Sequence, residues 1–456
     1  MSNRRMKNTH KLLIGAGSAA ILAAAATWGL ARQLQPEPPA NPGTALDDPA
    51  LIRHGEYIAR TADCVACHTT PGGRPFAGGL AMQTPVGAIY STNITPDTET
   101  GIGAYDYPAF RNAVKFGIRH DGATLYPAMP YPSYAIMPDA DLYALYAYFS
   151  QVVAPQRQDN APSTIPWPLN MRWPLVWWRA LFAPERPFQP DPGMDDLLNR
   201  GKYLVEGPGH CGACHTPRGI GFQETALSLE DGDTFLSGAL IDGWRAKSLR
   251  GEAQGLDSWT REEIVDFLAS GRTSRVAAFG AMADVVSHST RHMTPGDLDA
   301  MAAYLKRLPP APGKPTSFPA KQDALTDALL DGTARTRGAL LYREHCMTCH
   351  RPDGQGVPRI FPALNGNSAI FALNPQSSIQ ITLEGGRMPL NPGMDTMAFA
   401  MPGFKHLSDQ DISAILSFIR SGWTNQAPAV SPDQVHQIRS FLNTKTPDIQ
   451  TGDRHE

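Results

Sequence analysis

All six cysteines of this 456-residue chain fall in three pentapeptides of one form: Cys64-Val-Ala-Cys67-His68, Cys211-Gly-Ala-Cys214-His215 and Cys346-Met-Thr-Cys349-His350. Two thiols three positions apart occupy one turn of helix and can grip one edge of a flat macrocycle. The adjacent imidazole then reaches a metal at its centre. CxxCH is the attachment pattern of c-type haem, in which the thiols add to the porphyrin vinyl groups and the histidine ligates the iron. Zinc would require paired CxxC units within one domain, yet more than a hundred residues separate these motifs. A thioredoxin-type redox pair would need a βαβ setting, and none is visible. The expected cofactors are therefore three covalently bound haem c groups, attached through Cys64, Cys67, Cys211, Cys214, Cys346 and Cys349.

A haem iron with one histidine needs a second strong ligand for electron transfer or an open position for catalysis. A methionine thioether closes the site and raises the potential. Fifteen methionines make selection necessary, since most methionines are core filler. Met129 lies ten residues after Arg119, and Met282 lies ten after Arg272; both stand just before an amphipathic helix. In the third copy Met401 carries the Met-Pro pair also found at Met129, although its offset from Arg387 is fourteen. Met401 is chosen on that local motif, with Met397 and Met388 as the alternatives. The expected iron ligands are thus His68 and Met129, His215 and Met282, His350 and Met401. His120, His288, His292 and His406 read as surface or structural residues.

The elements that must position these groups repeat three times. A glycine opens the helix before each motif (Gly55, Gly201, Gly338), and a second helix ends in Gly-x-Arg or Gly-Arg at Arg119, Arg272 and Arg387. A closing amphipathic helix follows each, with Leu142, Leu145, Tyr146 and Phe149 on one face, then Leu298, Met301, Ala302 and Leu305, then Ile412, Ile415, Leu416 and Ile419. Thr294 to Asp297 and Ser408 to Asp411 have capping-box form, while Met137-Pro-Asp offers no good capping side chain. The expected architecture is all-α: three tandem class I-like cytochrome c domains joined by Pro-rich linkers. The expected boundaries are domains at 45–155, 195–308 and 335–425, linkers at 156–194 and 309–334, and a patternless tail at 426–456.

Residues 1–36 form a signal peptide or a membrane anchor. Arg4, Arg5, Lys7 and Lys11 precede an uncharged run from Leu12 to Ala31 that is closed by Arg32. The run reaches the ~20 residues of a spanning helix rather than the ~7–15 of a cleaved leader. Either way the body of the chain is exported, to the periplasmic face of the bacterial inner membrane. The net charge of −3 offers no basic face for nucleic acid. Four of the eight tryptophans sit in the first linker, at Trp167, Trp173, Trp177 and Trp178. They either pack between domains or form a docking surface for a partner subunit or the membrane, with Trp173, Trp177, Trp178 and Arg179 as the residues to test.

The chain also resembles the triple-haem cytochrome c subunit of bacterial membrane-bound quinohaemoprotein alcohol dehydrogenase and of related aldehyde, gluconate and fructose dehydrogenases. The resemblance runs from about residue 50 to about residue 425. It rests on GEYIARTADCVACHT, YSTNITPDTETGIGAY, GIRHDGATLYPAMPYPS, WPLNMRWPL, GPGHCGACHTPRG, MADVVSHST and FPALNGN. It implies a subunit without substrate chemistry of its own that passes electrons to membrane ubiquinone. Its implied partner is a catalytic subunit of pyrroloquinoline quinone, molybdopterin or flavin type, alcohol-oxidising first and aldehyde-oxidising next, with a small third subunit as an optional addition. The competing readings are a multihaem cytochrome c peroxidase, which needs an open iron, and a haem donor to a terminal oxidase.

Overall fold

The computed structural model describes residues 18, 22–40, 43–241, 243–317, 321, 323–391, 393–395 and 397–444. In chain order the first part holds α1 (22–33), α2 (Pro49–Thr61), α3 (Cys64–Cys67), strands β1 (Ala81–Thr84) and β2 (Gly87–Tyr90), α4 (Tyr107–Phe116), α5 (Tyr131–Tyr134), α6 (Asp139–Gln151) and α7 (Leu175–Phe182). The second part holds α8 (Asp196–Glu206), α9 (Gly212–His215), β3 (Ala239–Ile241), β4 (Trp244–Ala246), α10 (Arg261–Ser270), α11 (Ala281–His288) and α12 (Pro295–Arg307). The third holds α13 (Leu325–Leu330), α14 (Arg337–His345), α15 (Met347–His350), α16 (Gln376–Glu384), β5 (Gly386–Arg387), β6 (Ala400–Met401), α17 (Asp409–Ser421) and α18 (Pro432–Thr444). The chain is largely helical rather than all-α, because β1–β2, β3–β4 and β5–β6 form three short antiparallel hairpins.

The chain divides into two compact units: one of residues up to Gly55 plus Ala81–Phe188, the other of Glu56–Leu80 plus everything from Gln189 onward. The division departs from the expected three tandem domains. It passes through α2 and assigns the first CxxCH to the second unit.

The same helix crossing occurs three times. A Cβ placed on Gly55 of α2 would stand 1.9 Å from the carbonyl oxygen of Ala144 in α6. The corresponding separation is 2.0 Å from Gly201 in α8 to Ala300 in α12, and 2.4 Å from Gly338 in α14 to Ala414 in α17. In every case the next neighbour is the Cβ of the residue four further on, Tyr148, Tyr304 or Phe418. Only a residue without a side chain lets the two backbones approach so closely, which is why each crossing holds a glycine, in the middle of α2 and α8 and near the start of α14. The closing helices bury the faces read from their periodicity: Leu142, Leu145 and Phe149, then Leu298, Met301 and Leu305, then Ile412, Ile415, Leu416 and Ile419.

Local starts and stops follow the side chains. Asp106 caps α4 by accepting from the Ala109 amide at 2.9 Å, and left-handed Gly117 ends it. Thr294 and Ser408 cap α12 and α17 through the Asp297 and Asp411 amides, while Pro138 leaves α6 uncapped as expected. In the first unit, Tyr107, Phe110, Tyr143, Tyr146 and Phe149 form an aromatic cluster between α4 and α6.

Three stretches expected to be linker or patternless tail are structured. Residues 156–194 contain α7. Residues 309–334 contain α13, whose Leu329 is buried with Tyr342, Ile415, Ile419 and Trp423. The tail contains α18, whose Val435 and Leu442 join Ile379, Leu383, Phe404, Ile412 and Leu416 in one core. α13 is only six residues long and α18 is apolar at few of its thirteen positions, so tertiary packing rather than propensity selects them.

Within the second unit, the second and third parts interlock through buried polar groups. Arg272 donates from Nε to the Pro389 carbonyl at 2.9 Å, and from Nη1 to the carbonyls of Met397 at 2.7 Å and Arg359 at 3.1 Å. Arg359 in turn donates to the buried Asp395 carboxylate at 2.8 Å. Lys247 Nζ donates to Ser368 Oγ at 2.7 Å, and the Arg245 amide to Ser377 Oγ at 2.8 Å.

Candidate haem-binding sites

Each CxxCH motif forms one helical turn, in α3, α9 and α15, with a cysteine and the histidine inside or flanking it. The histidine carbonyl is fixed in the same way in all three copies, accepting from a later glycine amide: Gly78 to His68 at 2.8 Å, Gly238 to His215 at 2.7 Å and Gly356 to His350 at 3.1 Å. Every copy thus ties the histidine carbonyl to a glycine, although the glycine follows by ten, twenty-three and six residues in turn and the intervening loops differ in length.

The imidazoles are oriented from behind. His215 Nδ1 lies 2.7 Å from the Lys247 carbonyl and His350 Nδ1 lies 2.9 Å from the Pro362 carbonyl. A carbonyl only accepts, so Nδ1 carries the proton and Nε2 keeps its lone pair for a metal. Burial pushes His215 down to about 4 and shifts His350 in the same direction. Both rings are thus neutral at physiological pH, the form that ligates iron. These carbonyl partners escaped sequence reading; the one signal was Pro362 in FPALNGN.

All six cysteines are free of disulfides. Burial pushes the Cys64, Cys211 and Cys346 thiols up to about 12, so these surroundings favour an uncharged sulfur. A thioether is neutral and suits such surroundings. Among the described residues no group of three His, Cys, Asp or Glu side chains gathers to hold a metal ion. Paired thiols on one helical turn followed by a back-bonded neutral imidazole make a donor set that fits haem c and fits zinc poorly.

In the second unit the first and second motifs are neighbours. α3 packs against α11, and a charge on Cys214 would raise Cys67. Ser289 Oγ donates to the Thr61 carbonyl at 3.1 Å just before α3. Asp63, in the left-handed conformation at the start of α3, is buried with no partner for Oδ1. Burial, reinforced by Asp284 on α11, pushes its carboxyl up to about 8.

Of the candidate methionines Met129 lies on a turn as expected, whereas Met282 is the second residue of α11 and Met401 stands in β6. Met129 is partly buried in a turn ahead of α5, where its carbonyl accepts from Tyr131 at 2.8 Å. It belongs to the first unit and His68 to the second. Met282 is partly buried near the start of α11. Met401 pairs with Gly386 in the β5–β6 hairpin and packs on the core of Ile379, Leu383 and Phe404. Met397 is exposed with its carbonyl held by Arg272. Of the histidine rivals, His120 lies exposed beside Tyr105, His288 and His292 are exposed, and His406 stacks among Phe404 and His345.

No helix among the described residues is long and apolar enough to cross a membrane. Nine of the twenty residues of the apolar run from Leu12 to Ala31 lie outside the described residues.

Comparison with known proteins agrees with the donor set. The cytochrome c family model matches residues 52–152 and 336–423. The chain is 49% identical over 397 residues to the gluconate 2-dehydrogenase cytochrome c subunit of Pantoea cypripedii, covering 86% of this chain and 90% of that one. It is 48% identical over 404 residues to the cytochrome c subunit of the quinone-dependent alcohol dehydrogenase of Gluconobacter oxydans, covering 86% and 83%. The fructose dehydrogenase cytochrome subunit of Gluconobacter japonicus is 35% identical over 424 residues, covering 88% and 85%. With CxxCH turns, back-bonded histidines and identity of this extent, the chain belongs to the family of cytochrome c subunits of alcohol, gluconate and related dehydrogenases.

Proposed function

We propose that the chain is the electron-transfer subunit of a membrane-associated dehydrogenase complex, carrying three haem c groups and performing no substrate chemistry itself. A bound haem c supplies reversible one-electron transfer at iron. Cys64 and Cys67, Cys211 and Cys214, and Cys346 and Cys349 would hold the three groups by thioethers. His68 with Met129, His215 with Met282, and His350 with Met401 would close the two axial positions of each iron. Closed positions favour electron passage over peroxide chemistry, which needs an open one.

The observation that carries this reading is the recurrence of one geometry at every motif: a glycine-mediated helix crossing, a CxxCH turn and a histidine carbonyl held by a later glycine. One third of such an arrangement would mark a single carrier. Three copies in one chain, with the first and second motifs adjacent, make a relay.

The relatives point to a catalytic partner that oxidises an alcohol or a sugar acid, and alcohol oxidation is the reading favoured here. Such a partner would use a pyrroloquinoline quinone, flavin or molybdopterin cofactor, with ubiquinone in the inner membrane taking the electrons on the periplasmic side. Affinity purification from membranes followed by identification of the large copurifying subunit and its cofactor tests this. Addition of ethanol, then gluconate, to the isolated complex should bleach the oxidised haem spectrum with one substrate and not the other. A chain that purifies alone and is reduced by neither refutes it.

A further inference from the structure

The first unit presents an apolar face that the relay does not use. On α7 and the turn before it, Trp173, Trp177 and Leu181 recur at intervals of four and so line one side of the helix. They are 51%, 43% and 70% exposed, and Trp167, in the preceding turn, is 77% exposed. The opposite side faces inward. Val176 and Arg179 are buried, and the Trp178 ring meets Tyr131 edge-on at 5.9 Å between centroids. The sequence-derived set for docking is therefore half wrong: Trp178 and Arg179 face the protein, and the outward side chains are Trp167, Trp173, Trp177 and Leu181.

The face is held rigidly. Arg172 stacks over Tyr126 at 3.7 Å and donates to the Thr124 carbonyl, which fixes the turn between Trp167 and α7. It is also continuous with the most apolar part of the chain. Trp177 Nε1 donates to Thr27 Oγ1 at 3.0 Å, and Arg179 donates to the Leu34 carbonyl at 3.3 Å. Both acceptors belong to α1 or its end, and α1 is the continuation of the uncharged run that begins at Leu12. On α1 itself Trp28 is exposed, with Arg32 over its ring at 4.0 Å.

That continuity identifies the occupant. We infer that α1 and α7 together form a platform that lies in the surface of the bilayer, with Trp167, Trp173, Trp177 and Leu181 immersed at the depth of the lipid headgroups and upper acyl chains. Tryptophans concentrate at that depth because their rings are apolar and their indole N–H is polar. A short helix with a one-sided apolar stripe lies in the interface plane rather than across it. A protein partner would explain the exposed rings but not their attachment to an apolar run with a basic flank at Arg4, Arg5, Lys7 and Lys11. The inference rests on the membrane association proposed above and adds which surface makes the contact.

The test uses the full haem-loaded chain with p-benzoylphenylalanine replacing Trp173, Trp177 or Trp178 singly. Each form is bound to vesicles of phosphatidylethanolamine and phosphatidylglycerol, irradiated and weighed. The expected result is a phospholipid adduct at positions 173 and 177 and its loss at 178, where the side chain faces Tyr131. Chain that sediments with vesicles but forms no lipid adduct at 173 or 177 overturns the platform and leaves membrane association standing. Chain that does not sediment with vesicles at all removes the membrane reading itself. In native membranes, an adduct from 177 to the catalytic subunit instead of lipid also overturns the inference, in favour of a docking surface.

Discussion

Replacing Arg272 with glutamine is expected to loosen the segment that leads to Met401. The guanidinium is 1% exposed and donates to the carbonyls of Pro389, Met397 and Arg359, with Asp395 Oδ2 3.9 Å from Nε. Glutamine reaches at most one of these carbonyls and leaves the others, in buried or part-buried positions, without this donor. Each bond from a charged donor contributes about 1.5–3 kcal/mol, and removing one partner from a buried charged network costs about 3–5 kcal/mol. Asp395 keeps Arg359 at 2.8 Å, so the cost stays within the second range instead of being the sum of the bonds. Arg272→Gln should therefore lose about 3–5 kcal/mol of second-unit stability. Arg272→Lys should lose nearly as much, because one ammonium cannot reproduce the fork. Arg119, which looks equivalent in sequence, is exposed beside Asp121, and Arg119→Gln should change stability by less than about 0.5 kcal/mol. Urea unfolding of the holo chain, followed by circular dichroism, measures the cost. Limited proteolysis across residues 388–400 reads the local loosening. An Arg272→Gln chain that unfolds with the wild type and shows no new cleavage there would refute the reasoning.

Met401→Leu should remove about one third of the long-wavelength methionine-to-ferric charge-transfer band while Met397→Leu leaves it intact, as the proposed set of three irons with one methionine each requires; the reverse pattern reassigns the ligand. Gly201→Ala should destabilise the second unit by at least about 1–3 kcal/mol, because the new methyl would overlap the Ala300 carbonyl, and thermal unfolding measures it. Burial pushes the Asp297 carboxyl up, but hydrogen bonds from Arg200, at 2.7 and 2.8 Å, and from Tyr57 outweigh it and hold the group below its ordinary value. A depressed carboxyl contributes stability above its unfolded pKa of about 3.9 that is lost as pH falls through the folded value. Asp297→Asn should thus cost about 1–3 kcal/mol at neutral pH and progressively less in acid, read by melting temperature against pH; equal cost at both ends would show that charge is not involved.

The repeats were legible because their chemistry is local. Cys-x-x-Cys-His, the glycine before each motif and the amphipathic closing helix are short patterns with fixed spacing, and the structure supplies their reason in the crossings at Gly55, Gly201 and Gly338. What stayed hidden depends on distant partners. Arg119, Arg272 and Arg387 occupy one register position, yet only Arg272 is buried, because a segment more than a hundred residues later covers it. The carbonyls of Lys247 and Pro362 that orient His215 and His350 carry no side-chain signature. α13 was missed because it is a single short stretch and α18 because its apolar positions are few, and both make sense only against Tyr342 or Phe404. Trp178 and Arg179 looked like docking residues until the helical phase of α7 showed them facing inward.

The central claim is three covalent haems on one chain. Pyridine haemochrome quantitation on the purified holo protein, set against protein mass after acid-acetone extraction of any non-covalent haem, tests it most directly. The account predicts three covalently retained groups per chain; two or fewer would contradict it.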